Sequence, residues 1–326
     1  MTQLNHQISI FTTVRRDENT ISYTDKILEL IEANEQYGFS GALFFQNNSN
    51  DLEPWVFAQE MFNRSSNQIP LIAINPAYVH PFTAAQKILS YFNLHRRKLF
   101  INFIIGTSKS DLESIETPLG HDERYDRLRE YIEIMNELLK GTYPMNYQGT
   151  YYQIKNLRLP YPLDEDYFPK HFISGSSEKA FRTRTITNSY CLQMAKSKKV
   201  FNSMECKPDG IYLGIIARTT LEEARNALIE KFKPKFPEAK ELLKLSMSNT
   251  DAVWKNELLK EKDDETFRLE PFKNFSADCP YLVGTYSHVA KYLLNYIIEG
   301  VNTFVIDVEV EEMGNISQVF KCLNTF

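Results

Sequence analysis

The sequence has few of the features that would assign it quickly. Four cysteines, Cys191, Cys206, Cys279 and Cys322, are spread over 326 residues, with no CxxC pair and no Cys/His cluster at metal-ligand spacing. Structural zinc is therefore not expected, and reduced thiols in a reducing compartment are. No stretch reaches the roughly 18 consecutive apolar residues of a membrane span. The start, "MTQLNHQISIFTTVRR", lacks a basic segment followed by a long apolar run, so no secretory signal is expected. These absences point to a cytoplasmic protein without a membrane partner. Positive charge is not in excess: the net charge is −5, and like charges run no longer than "KSKK" and "EKDDE". That argues against nucleic-acid binding by bulk electrostatics. Neither GxGxxG nor GxxxxGK[ST] follows any apolar run, so the common dinucleotide and P-loop signals are missing.

What the sequence does have is alternation. Short apolar runs lie at 7–14, 41–45, 69–75, 98–106, 170–175, 189–194, 210–217 and 303–308. Amphipathic stretches of helical length lie at 23–37, 54–63, 82–95, 122–140, 177–187, 220–232 and 285–299. Continuous apolar runs are what parallel strands covered on both faces require. Eight of them interleaved with helices predict an α/β fold, a (β/α)8 TIM barrel in one domain spanning 1–326, with an open doubly wound sheet as the alternative. Two stretches break the pattern. Residues 143–160 carry Gln148-Gly149-Thr150 between alternating aromatic runs, which predicts a hairpin. Residues 233–284 read as a polar, largely helical insertion, either a lid or a solvated excursion.

Two strand ends carry chemistry. "FINFIIGTS" ends in Gly106-Thr107-Ser108, and "HFISGSSEKA" ends in Ser174-Gly175-Ser176-Ser177 before a helix. Barrel active sites lie at such C-terminal ends. Serines at a helix start serve either as N-caps or, with the free backbone N–H groups, as an anion site suited to phosphate. Between them, "GHDERYDRLREY" gathers His121, Arg124 and Tyr125 into one helical turn. Read alone, that turn is a surface helix start. His80, before Pro81 at a helix start, reads as a structural residue, although this topology puts it on the active face, and Trp55 and Trp254 read as packing residues.

Taken in order, these segments resemble the luciferase-like flavin monooxygenase superfamily, and most closely its alkanesulfonate monooxygenase branch. The matching elements are the strand ending in "GTS", His121-Asp122-Glu123-Arg124-Tyr125, Gly149-Thr150-Tyr151-Tyr152, Gly175-Ser176-Ser177, and the ending "YLVGTYSHVAKYLLNYIIEGVNTFVIDV". The resemblance covers most of 7–230 and 281–323. It implies a barrel holding reduced FMN, with Thr107, His121, Arg124, Tyr125, Ser176 and Ser177 as cofactor-binding residues and His121, Tyr125 and the serine pair around the phosphate. It also implies oxygenation by O2 through a flavin C4a-(hydro)peroxide, a separate NAD(P)H:flavin reductase as partner, and a homodimer or homotetramer.

The substrate side departs from that branch. Asn50 falls at the branch's cysteine, Tyr212 and Gly214 at its Arg-x-His, and Glu309 at its tyrosine. Gln46 and Asn47 stand where the luciferase branch has a histidine, and no arginine immediately precedes "LVG", although Arg268 lies upstream. Asn50, Tyr212 and Glu309 are the candidate catalytic residues. With the cations missing, sulfonate cleavage is not expected, and a neutral, cationic or larger small-molecule substrate is, free or carrier-bound. Two rival readings are a catalytically degenerate flavin-binding protein and a deazaflavin-dependent oxidoreductase on the same barrel.

Overall fold

In the computed structural model, residues 8–14, 20–46, 48, 53–115, 118–141, 143–233 and 239–326 are described. Eight parallel strands close a barrel: β1 (Ser9–Thr13), β2 (Gly41–Phe44), β3 (Ile69–Ile74), β4 (Phe100–Phe103), β5 (Lys170–Ser174), β6 (Tyr190–Met194), β7 (Gly210–Arg218) and β8 (Thr303–Asp307). Closure runs through β8, which pairs with β1 at Ser9–Thr303 and with β7 at Thr303–Gly210. The expected TIM barrel is thus the observed fold, and each predicted apolar run coincides with one of its strands, β7 running one residue beyond its run to Arg218.

Alternation along the strands sends Phe11, Leu43, Leu71, Phe172, Leu192 and Val305 into the barrel interior as a packed plug. At its N-terminal end the Lys170 ammonium lies over the rings of Phe100, Phe172 and Tyr190, 4.3–5.8 Å from their centroids. At the other end Leu43, Ala73 and Leu192 form the floor of a cavity.

Several elements go beyond the sequence expectation, among them the short helix Lys109–Glu113. Tyr281–Thr285, at the edge of the predicted insertion, is a further strand, parallel to the upper half of β7 from Gly214–Tyr281 to Arg218–Thr285. A two-residue strand, Phe267–Arg268, pairs antiparallel with it. The chain ends in helix Met313–Leu323, which buries Ile316, Val319 and Leu323 at helical spacing. The rest of the insertion contains helices Ala239–Ser248, Val253–Lys260 and Glu270–Lys273. The link between β6 and β7 holds only the six-residue helix Lys198–Ser203.

The hairpin forms from Met145–Gln148 and Gln153–Leu157. Its turn docks on one buried carboxylate: Glu130 accepts the backbone N–H groups of Thr150 (2.8 Å), Tyr151 (2.9 Å) and Tyr152 (3.1 Å). A Cβ at position 149 would lie 2.3 Å from a Glu130 oxygen, which accounts for glycine there.

Candidate active site

The C-terminal ends of the strands open into a cavity of about 410 Å³. That is within the usual range for small-molecule sites, roughly 300–1,000 Å³. An adjoining groove of about 810 Å³ shares Gly175, Ser176, Ser177, Gln193 and Lys196 with it.

At β5 the chain leaves the barrel through Gly175, whose φ of +139° is open to glycine and strained for other residues. Space imposes the same choice, since a Cβ at 175 would lie 2.1 Å from the Tyr125 hydroxyl oxygen. That hydroxyl donates to the Ser174 carbonyl (3.1 Å). Burial pushes the Tyr125 phenol up to about 12, with hydrogen bonding to Ser177 and the Arg124 charge pulling the other way, so Tyr125 remains a donor at neutral pH. Ser177 caps helix Glu178–Thr187 by accepting the Ala180 N–H (3.2 Å). The Ser176 hydroxyl oxygen is different: it is buried and has no hydrogen-bond partner among the described residues.

His121 stands at the first position of helix His121–Lys140 and also lines the cavity. Its ring packs edge-on against Tyr125 (centroids 5.2 Å apart), and its Nδ1 lies 2.8 Å from the Asp122 carboxylate. Thr107 is on the cavity wall just beyond β4, exposed. It follows Gly106, which takes a φ of +80° against Leu112 and Asn75.

Arg124 is placed elsewhere than expected. It is buried outside the cavity lining, with its guanidinium donating to the Leu119 carbonyl (2.9 Å) and to Asp251 of the insertion (2.7 Å). Its partner Asp251 does line the cavity, and the Arg124 charge also acts on the lining Tyr125. Of the substrate-side candidates, Tyr212 lines the cavity from β7. Glu309 does not: its side chain is 57% exposed and pairs with Lys231 (3.3 Å). Asn50 and Asn47 lie outside the described residues. Gly214 faces the Tyr281 ring, whose atoms would lie 2.2 Å from a Cβ there, so that ring fills the space a histidine would need.

Sequence reasoning missed several lining residues. Asn102 accepts the Ser174 hydroxyl (2.8 Å). The Gln193 amide donates to the Gly175 carbonyl (3.1 Å) while its buried oxygen has no partner among the described residues. Both interrupt apolar strands, "FINF" and "YCLQM", and that was the available signal. Trp254, expected to be only a packing residue, packs on Phe272 and also lines the cavity. Two lysines, Lys196 and Lys255, line it as well, so it is not without cations. His80 caps the helix that begins at Pro81, its Nδ1 accepting the Phe82 N–H (3.2 Å).

Comparison with known proteins supplies the family. Residues 6–186 match the luciferase-like monooxygenase family. The chain belongs to that family. Over 299 residues this luciferase-like monooxygenase is 29% identical to the 4-(gamma-L-glutamylamino)butanoyl-[BtrI acyl-carrier protein] monooxygenase BtrO of Niallia circulans, covering 87% of this chain and 86% of that protein. Its fold is shared with the EDTA monooxygenase EmoA from Chelativorans sp. BNC1 (TM-score 0.75, 13% identity, 98% and 95% of the two chains). It is shared also with the oxygenating constituent of 3,6-diketocamphane monooxygenase from Pseudomonas putida, solved in complex with FMN (TM-score 0.69, 14% identity, 98% and 96%). As a luciferase-like monooxygenase, the protein is an enzyme of the flavin monooxygenase class. Among its described residues no helix is long and apolar enough to cross a membrane.

Proposed function

We propose that this enzyme uses reduced FMN, delivered by a separate NAD(P)H:flavin reductase, to oxygenate a non-sulfonate acyl substrate held on a carrier protein. The observation that carries the cofactor reading is the buried Ser176 hydroxyl, which has no hydrogen-bond partner among the described residues. It lies beside the start of helix Glu178–Thr187, next to Ser177 and close to Tyr125 and His121. A phosphate needs convergent donors and positive potential, and a helix start with serine hydroxyls provides both. The residues present fit the phosphate of FMN.

Bound there, reduced flavin supplies the two electrons by which one atom of O2 enters the substrate and the other leaves as water. The chain's own contribution is binding and exclusion. Ser176, Ser177 and the N–H groups of the helix start hold the phosphate. Tyr125 keeps its proton, donates it in a hydrogen bond to the Ser174 carbonyl and so holds the turn that presents the serines. Leu43, Ala73 and Leu192 below, with Ala252, Val253 and Trp254 of the insertion, keep water from the reacting centre. Carrier presentation is supported by the similarity to BtrO, which acts on an acyl group attached to an acyl-carrier protein. The groove adjoining the cavity gives such an arm a way in.

The test is anaerobic titration with reduced FMN, riboflavin and a deazaflavin, followed by rapid mixing with oxygenated buffer. Preference for FMN over riboflavin and a slowly decaying near-ultraviolet absorbance are expected. Tight binding with immediate return of oxidised flavin would favour a degenerate flavin binder. Preference for the deazaflavin would overturn the FMN assignment.

A further inference from the structure

The far end of the barrel holds a concavity that oxygenation does not use. It lies where β4, β5 and β6 begin, opposite the active cavity, and encloses about 520 Å³. Its lining contains three lysines, Lys98, Lys140 and Lys170, and no carboxylate. In a chain whose 42 Asp and Glu outnumber its 37 Lys and Arg, that is a local reversal of charge.

Local structure brings the three ammonium groups around one space. Lys170 opens β5 in register with Phe100, the first residue of β4. Lys98 enters from the lead-in to β4, two residues earlier. Lys140 comes from the last turn of helix His121–Lys140, and Asn136, one turn before it on the same helix face, lines the pocket with it. The exposed ring of Tyr190 and the half-buried ring of Phe168 complete the rim.

Lys140 is accounted for without a ligand. It pairs with Glu137 at 3.4 Å, and the carbonyls of a helix end favour a cation. Lys98 and Lys170 are not. Among the described residues neither makes an ion pair within 4.0 Å or donates a hydrogen bond from its ammonium. Lys170 is half-buried, and burial pushes its pKa down, with Asp209, outside the lining, pulling the other way. The rings beneath it offset part of that desolvation, but a ring face cannot take the three N–H bonds of an ammonium. His171, whose pKa burial depresses to about 4, adds no charge at neutral pH.

We propose that this pocket binds a polyphosphate group, as inorganic di- or triphosphate or as the tail of a nucleotide. A monoanion would meet one lysine and leave the others as they are. A chain of phosphates presents oxygens to ammonium groups arriving from three elements, and the Tyr190 ring offers a face to a base attached to it. Barrel chemistry stands at the C-terminal strand ends, so a ligand here takes no part in oxygenation and stabilises the folded chain by mass action.

The experiment titrates the whole protein calorimetrically with pyrophosphate, tripolyphosphate and ADP at low ionic strength, with and without FMN. One polyphosphate site per chain is expected to remain when FMN is present, and the melting temperature should rise with ligand. Lys98→Met combined with Lys140→Met changes two exposed side chains and should weaken tripolyphosphate about tenfold or more, the scale of one charge-assisted hydrogen bond. Lys170→Met should weaken it at least as much. Should that change disturb the strand starts, the double variant decides alone. ADP tighter than pyrophosphate supports a nucleotide, and equal affinities support the inorganic chain. No binding by wild type, or unchanged binding in the double variant, would overturn the proposal. Loss of all binding in the presence of FMN would overturn it too, by placing the anion at Ser176.

Discussion

Arg124 and Asp251, 127 residues apart, meet at 2.7 Å, the arginine side chain 4% exposed and the aspartate 27%. The pair ties the first turn of helix His121–Lys140 to the insertion that walls the cavity. Arg124→Met leaves the Asp251 charge without its partner. The expected loss is roughly 2 kcal/mol, below the ~3–5 of a fully buried pair because Asp251 keeps contact with solvent. Denaturant unfolding measures it, and limited proteolysis should cut residues 239–278 faster than in wild type. Unchanged cleavage would mean that the insertion is held by other contacts.

Ser176→Ala and Tyr125→Phe address the phosphate. Each removes one hydroxyl and little volume. Affinity for FMN should fall about tenfold for each, and further for the double variant, while riboflavin affinity stays put. Fluorescence titration with the two flavins side by side separates a phosphate role from general damage. Equal weakening for both flavins would refute the assignment.

Glu130→Ala strips three backbone N–H groups of their acceptor at the hairpin turn. A fully buried donor left unpaired costs about 1–3 kcal/mol, but Thr150 is exposed and Tyr151 and Tyr152 are half-buried, so water lowers the sum for the three to roughly 3 kcal/mol. Hydrogen exchange at Thr150, Tyr151 and Tyr152 should accelerate well ahead of exchange in the barrel strands. Glu130→Gln, which keeps one acceptor oxygen, should lie between.

His171 gives the protein a slope in acid. Burial depresses its pKa from 6.5 to about 4, so the fold favours the neutral ring. A depressed folded-state pKa means full stability above about 6.5 and progressive loss as pH falls toward 4, at most about 1.4 kcal/mol per pH unit. Urea midpoints for wild type and His171→Gln at pH 7, 5.5 and 4.5 isolate the effect. The variant should show the shallower decline, and parallel curves would rule His171 out as its source.

The barrel was legible because parallel strands covered on both faces must be continuous apolar runs, as in "IPLIAI" and "TFVID". The strand Tyr281–Thr285 was not, because its short run adjoins a polar segment and is fixed by pairing with β7 rather than by its own length. Helix Met313–Leu323 did carry a readable period in Ile316, Val319 and Leu323. At the site, "GTS", "HDERY" and "SGSS" mark strand and helix ends in any reading, so Thr107, His121, Tyr125, Ser176 and Ser177 could be nominated from local pattern and order.

Partnership could not be. Arg124 in "HDERY" has the same neighbours whether it faces a phosphate or a carboxylate, and Asp251 decides which. Lys255 in "VWKNELLK" reads as a solvated helix lysine until the insertion folds back over the barrel mouth. Ser176 and Ser177 are adjacent and alike, yet Ser177 caps a helix while the Ser176 hydroxyl, at the cavity, has no partner among the described residues. The sequence alone determined the period of each element, the barrel that follows from it, and which chemistry stands at the strand ends, because those depend on near neighbours and solvent exposure. Which charges are neutralised, and which remain to meet a ligand, was decided by tertiary structure, because an ionic or hydrogen-bonded partner is chosen by distance in space.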